Sequence, residues 1–138
     1  MLSFGNQPAM ASEPPTARVA SRVLLVDDDP GIRGALADLL SAEGLEVVGQ
    51  GITGADAIAL SRELQPDLVV LDDQMPELTG REALPHIRRE SPGARILLFS
   101  AGVEPISVEN RPDAAVAKGL HPAELLRVIT GLLAAATR

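Results

Sequence analysis

Cysteine is missing from this sequence of 138 residues. Disulfides, thiol nucleophiles and thiolate-bound metals are therefore excluded, and a reducing cytoplasm is compatible with that. Trp and Tyr are missing too, and Phe4 and Phe99 are the only aromatic residues. Such a chain offers no platform on which bases could stack. Basic residues are in deficit, with 12 Lys and Arg against 19 Asp and Glu, a formal net charge of -7 and a pI of about 4.7. A surface of that sign repels nucleic acid. No apolar run approaches the roughly 20 residues that span a bilayer. The N-terminus has no basic segment ahead of an apolar stretch, so no secretory signal is read there.

What remains has the composition of an ordinary globular domain, 46% hydrophobic and 22% charged. Residues 1–20 are rich in Pro, Ser, Ala and Gly without an apolar period, which predicts a disordered leader, with Met10 as an alternative start. Residues 21–138 predict one domain, with no room for an output domain behind its last helix. From Val23 on, short apolar runs alternate with amphipathic stretches, the pattern of βα units around a parallel sheet. Strands are predicted at Val23–Val26, Leu45–Val48, Leu68–Leu71, Ile96–Phe99 and Ala114–Ala117. The second is shorter and more polar, as suits a sheet edge. The first helix opens at Pro30-Gly31, carries Ile32, Ala35, Leu36, Leu39 and Leu40 on one stripe, and has Gly44 at its C-cap. Thr53 caps a second helix through Leu64, with Asp56 in its first turn. A third runs from about Arg81 to Glu90, where Pro85 predicts a late start or a kink. Pro122 begins the last, with Leu125, Val128, Ile129, Leu132 and Leu133 inward.

In an open parallel sheet, function collects where the strands end at their carboxyl side. The residues just past those ends form a consistent set: Asp27-Asp28-Asp29, Asp72-Asp73, Ser100 and Lys118. Carboxylates brought this close repel one another, and a cation relieves the repulsion. With only oxygen ligands on offer, the suitable cation is Mg²⁺, which keeps some of its waters and bridges to phosphate. The ammonium and the hydroxyl then serve as partners for phosphoryl oxygens, and one carboxylate can act as nucleophile to give an acyl phosphate. Asp29 next to Pro30 reads as a helix N-cap, Asp73 as a solvated loop charge, and Arg88-Arg89 as a solvated face. His86 and His121 have no companion ligands and receive no role.

VLLVDDDPGIRGAL, PDLVVLDDQMPELTG, ILLFSAG and AVAKG, in that order, resemble the receiver domains of two-component response regulators from about Val23 to Leu133. The resemblance implies a single-domain flavodoxin-like (βα)5 fold, α/β and doubly wound, with strand order 2-1-3-4-5. It implies that Asp72 is the phospho-acceptor and that Asp27, Asp28, Asp72 and the main-chain carbonyl of Gln74 hold Mg²⁺. Ser100 and Lys118 match the switch hydroxyl and the phosphate-binding lysine, and Met75-Pro76 and Gly80 match the loop after the acceptor. The implied partner is a sensor histidine kinase or a histidine phosphotransfer protein, with an unidentified downstream protein. The implied role is cytoplasmic signalling, not enzymatic turnover. The residues that tune hydrolysis in the family, two after the acceptor and two after the hydroxyl, are here Gln74 and Gly102.

Four features depart from the family pattern, the first being Asp73, a second carboxylate where an apolar residue is more usual. Gly119 follows Lys118 where Pro after a cis peptide bond is more frequent, although Lys-Gly forms occur. Ala115 stands where many members carry Tyr or Phe, so a swinging aromatic cannot report the switch, and output must come from backbone and loop shifts. Residues 101–113 contain Pro105 and Pro112 and little amphipathic pattern, which predicts a short or irregular fourth helix on a face that could serve a homodimer or another partner. Two rival readings remain open at this point. One is a pseudo-receiver that binds proteins without phosphorylation. The other is a phosphatase of the haloacid-dehalogenase type, suggested by Asp27-x-Asp29 but lacking that family's next residue and its cap domain.

Overall fold

Strands buried on both faces need apolar residues at every position, and three segments of this chain meet that demand almost fully. These are β1 (Arg22–Val26), β3 (Leu68–Asp72) and β4 (Arg95–Ser100). In the computed structural model, which describes residues 20–100 and 111–136, they are the inner strands of a five-stranded parallel sheet. At its edges lie β2 (Glu46–Gly51) and β5 (Ala114–Ala117), in the order β2-β1-β3-β4-β5. The helices are α1 (Pro30–Ala42), α2 (Gly54–Leu64), α3 (Gly80–Glu90) and α4 (Pro122–Ala136). This is the doubly wound, flavodoxin-like arrangement expected. Of the predicted leader (1–20) and the segment predicted to hold a short or irregular fourth helix (101–113), residues 1–19 and 101–110, Gly102 among them, lie outside the described residues.

The two faces of the sheet bury separate cores. Val23, Leu25, Leu68, Val70, Leu97 and Phe99 face α1 and α4 and meet Leu36, Leu40, Leu125, Ile129 and Leu133. Leu24, Val26, Val69, Leu71, Ile96 and Leu98 face α2 and α3 and meet Ala57, Ala83, Leu84 and Ile87. Residue parity along each strand thus decides which helices a side chain touches. Of the stripe predicted on α1, Leu36 and Leu40 are buried, Ile32 and Leu39 half-buried, and Ala35 exposed.

Several boundaries differ from the sequence reading. The edge strand β2 is not short: it runs two residues beyond Gly49 and has six residues. Gly49 is no breaker here. A Cβ on it would stand 2.7 Å from Leu64 Cδ1, so the glycine lets α2 press against the strand. The register skips Val48, since Val23 pairs with Val47 and Leu24 with Gly49. Helix α3 does not start late. Thr79 and Glu82 form a reciprocal capping box that fixes its start at Gly80, and Pro85 sits inside the helix, removing the donor that would meet the Arg81 carbonyl. The C-cap of α1 is Glu43, and Gly44 follows it with φ of 84°. Thr53, Asp29 and Pro122 take the positions their residue types suggest.

Candidate functional site

The central strands deliver their next residues to one edge of the sheet. Asp27 follows β1, and its N–H donates to Gly51 O at 3.0 Å, which continues the β1–β2 ladder by one step. Asp27 is 2% exposed. Its Oδ1 accepts the Asp29 N–H at 2.9 Å, and its carbonyl accepts Arg33 Nη1 at 2.8 Å. Asp29 in turn caps α1 by accepting from Gly31 and Ile32, while Asp28 between them is exposed. Asp72 closes β3 and is wholly buried. Its Oδ1 accepts the Gln74 N–H at 3.0 Å and Lys118 Nζ at 2.8 Å. Lys118 lies one residue past β5, tied to β4 by its own N–H on Ser100 O at 3.0 Å, and its Nζ is 4.0 Å from Asp27 Oδ2. It is the only lysine in the chain.

Two atoms in this cluster stand out. Asp27 Oδ2 and Asp72 Oδ2 are buried and have no hydrogen-bond partner. A buried carboxylate oxygen without a donor is costly, so the sequence maintains an arrangement that the protein groups alone do not satisfy. Carboxylate oxygens of Asp27, Asp28 and Asp72 lie within 4.8 Å of one another. Three hard oxygen donors, one of them open to solvent, two of them orphaned, fit a small divalent cation that keeps part of its water shell. The electrostatics agree. Burial pushes the Asp27 carboxyl above its ordinary 3.8, and the Asp72 and Asp28 charges push the same way, against the Asp29 N–H and Lys118. Burial alone would lower the Lys118 ammonium, but the hydrogen bond to Asp72 and the charges of Asp72, Asp27 and Asp28 carry it above 10.5.

Ser100 and Asp73 form a second grouping on the other side. Along β3, Asp72 continues the row of Leu68 and Val70, whereas Asp73 continues that of Val69 and Leu71. Ser100 continues the row of Ile96 and Leu98. Asp73 and Ser100 therefore share the α2–α3 side of the sheet, and Ser100 Oγ is 3.5 Å from Asp73 Oδ2. Asp73 is not the solvated charge its sequence position suggested. It is 8% exposed, and Arg81 grips it with Nε on Oδ2 at 2.8 Å and its N–H on Oδ1 at 3.2 Å. The missed signal was an arginine one residue into the helix that follows the acidic pair.

The loop from Gln74 to Thr79 encloses a cleft of about 530 Å³ lined by Asp28, Asp73, Gln74, Met75, Arg81 and Ser100. Met75 is buried and Gln74 exposed. Gly80 closes the loop under β3: a Cβ there would be 2.9 Å from Asp73 Cα and closer still to the Asp72 carbonyl oxygen. Gly119 has φ of 95°, and among the described residues every peptide bond is trans. Ala115 is exposed. His86 contacts Arg89 at 2.7 Å, and His121 Nδ1 accepts the Ala123 N–H at 3.1 Å beside the start of α4. Arg88 is not merely solvated, since it bonds Asp113 at 3.2 Å and the Arg111 carbonyl at 2.9 Å. None of the described helices is long and apolar enough to cross a membrane.

Known proteins resemble this chain in sequence and in fold. The family model of the response regulator receiver domain matches residues 23–129. The chemotaxis protein CheY of Thermotoga maritima is 34% identical over 115 residues, which cover 83% of this chain and 96% of that protein. The response regulator protein VraR of Staphylococcus aureus is 36% identical over 96 residues, 69% of this chain and 46% of VraR, so the chain spans about half the length of that relative. Among solved structures, a CheY-like response regulator receiver domain protein from Methanospirillum hungatei superimposes with a TM-score of 0.80 at 25% identity, over 86% of this chain and 97% of that one. With fold, strand order and sequence in agreement over most of its length, the chain belongs to the receiver domain family of two-component response regulators.

Proposed function

We propose that this receiver accepts a phosphoryl group on Asp72 from a phosphohistidine, carried by a sensor histidine kinase or a histidine phosphotransfer protein, and that the acyl phosphate is its signalling state. The observation that carries this reading is the asymmetry of Asp72. Oδ1 is held by Lys118 and the Gln74 N–H, which fixes the carboxylate, while Oδ2 is buried without a partner, in a cluster where carboxylate oxygens of Asp27, Asp28 and Asp72 lie within 4.8 Å of one another. Oδ2 is the nucleophile. An O–P bond forms on it as the P–N bond to the imidazole breaks, and the electron pair leaves on nitrogen. Lys118 stands where it can follow the charge from the carboxylate to the phosphoryl oxygens. Asp27, Asp28 and Asp72, with the Gln74 carbonyl, would hold Mg²⁺, which offsets the negative charge that gathers on the phosphoryl group.

Water attack on the acyl phosphate returns the carboxylate, so the domain is a resettable acceptor and not a turnover enzyme. The reading includes a cytoplasmic location, where such kinases present their phosphohistidine, and a partner protein that recognises the phosphorylated form. A module that only binds proteins has no use for two buried carboxylates, each with an orphaned oxygen, gathered beside its one lysine. The test is incubation of the purified chain with acetyl phosphate and Mg²⁺, followed by intact-mass analysis and peptide mapping. One added phosphate on Asp72, absent without Mg²⁺ and in Asp72→Asn, is expected. No addition to the wild-type chain, or equal addition to Asp72→Asn, would end the proposal.

A further inference from the structure

We propose that Asp73, clamped by Arg81, is a second acceptor for the Ser100 hydroxyl and competes for it with the phosphoryl group on Asp72. The inference rests on the reading of Asp72 as phospho-acceptor and adds a positioning residue to that site. Three observations carry it. Asp73 is a buried carboxylate whose orientation is fixed from two directions, by the Arg81 side chain and by the Arg81 N–H. It shares with Ser100 the side of the sheet opposite Asp72, so the resting hydroxyl is drawn away from the acceptor. The Ser100 Oγ to Asp73 Oδ2 distance is 3.5 Å, longer than the 2.7–2.8 Å or so of a good O–H···O bond.

A long bond of this kind is readily surrendered to a better acceptor, and a phosphoryl oxygen is one. Yet Asp73 also charges a toll on the active state, because its carboxylate loses a donor when the hydroxyl leaves. Arg81 limits that loss by keeping Oδ2 paired throughout. The balance between the two acceptors thus sets how far the switch turns for a given occupancy of Asp72, without help from an aromatic at Ala115.

Beryllium trifluoride with Mg²⁺, a stable mimic of the phosphoryl group, measures this balance by calorimetry. Asp73→Ala is expected to bind it about fivefold more tightly than wild type, the effect of removing one hydrogen bond from the resting side. In the Ser100→Ala background the same substitution is expected to give no such gain. That contrast separates competition for the hydroxyl from the general benefit of deleting a nearby negative charge, which would persist without Ser100. Asp73→Asn keeps an acceptor oxygen and is expected to fall between the two, and it serves if Asp73→Ala does not fold. Equal gains with and without Ser100, or no gain in either, overturn the inference while leaving Asp72 as acceptor. A wild-type chain that binds no beryllium trifluoride overturns both.

Discussion

At the scale of single residues, Lys118 is the group whose behaviour is most open to measurement. Its pKa is higher in the folded chain than the ordinary 10.5, so the folded state holds the proton more tightly than the unfolded one. The stability this contributes is fully present below 10.5 and is lost as the pH rises through the folded value. Without Tyr or Cys, and with no second lysine, no other side chain titrates between about 10.5 and 12. Denaturant unfolding over that range should therefore show a falling stability that disappears in Lys118→Met; an unchanged slope in the variant would contradict the ion pair. Asp27 has the same sign: its raised pKa makes stability fall as pH climbs from 3.8 through the folded value. Asp27, Asp72 and Lys118 could be picked out in the sequence because each directly follows or ends an apolar run, a local cue. The surroundings of Asp73 could not. Its burial depends on Arg81, eight residues on, and on the face of the sheet to which β4 brings Ser100.

At the scale of elements, helix α3 and the loop before it are held by a close backbone approach at Gly80 and a capping box at Thr79 and Glu82. Gly80 begins the helix directly beneath the end of β3, and the atoms a Cβ would meet there are backbone, which cannot rotate away. Gly80→Ala is expected to destabilise the fold by about 2 kcal/mol or more, as other clashes against fixed atoms do. Thr79→Ala removes only one arm of the capping box and should cost about 1 kcal/mol. Urea unfolding of the two variants separates them, and a Gly80→Ala variant no weaker than Thr79→Ala would refute the close approach. Strand positions were legible because Leu68–Leu71 and Ile96–Phe99 are unbroken apolar runs. The extent of β2 was not, since a glycine that admits a neighbouring helix looks, in sequence, like one that ends a strand. The start of α3 was misjudged for a related reason: the proline inside it argued locally against helix, and the capping box upstream outweighed it.

For the molecule as a whole, the two cores on opposite faces of one sheet couple the fold to the site. Each acidic residue is an extension of a strand that both cores hold in place, so binding at the strand ends stabilises the entire domain. Mg²⁺ at ten times its dissociation constant should raise the unfolding free energy by about 1.4 kcal/mol, read as a rise in Tm. Asp27→Asn is expected to abolish that rise while unfolding no more easily than wild type in the absence of metal, because it removes a buried charge held beside another. A metal-dependent rise that survives the substitution would place the cation elsewhere. The presence of a single lysine has a practical consequence of a different kind. A chain without Trp, Tyr or Cys is nearly invisible to absorbance, fluorescence and thiol labelling, yet its one side-chain amine sits against the Asp72 carboxylate. Reductive methylation with ¹³C-formaldehyde would label that amine and the chain terminus alone, and of the two resulting resonances the one from Lys118 would report the state of Asp72.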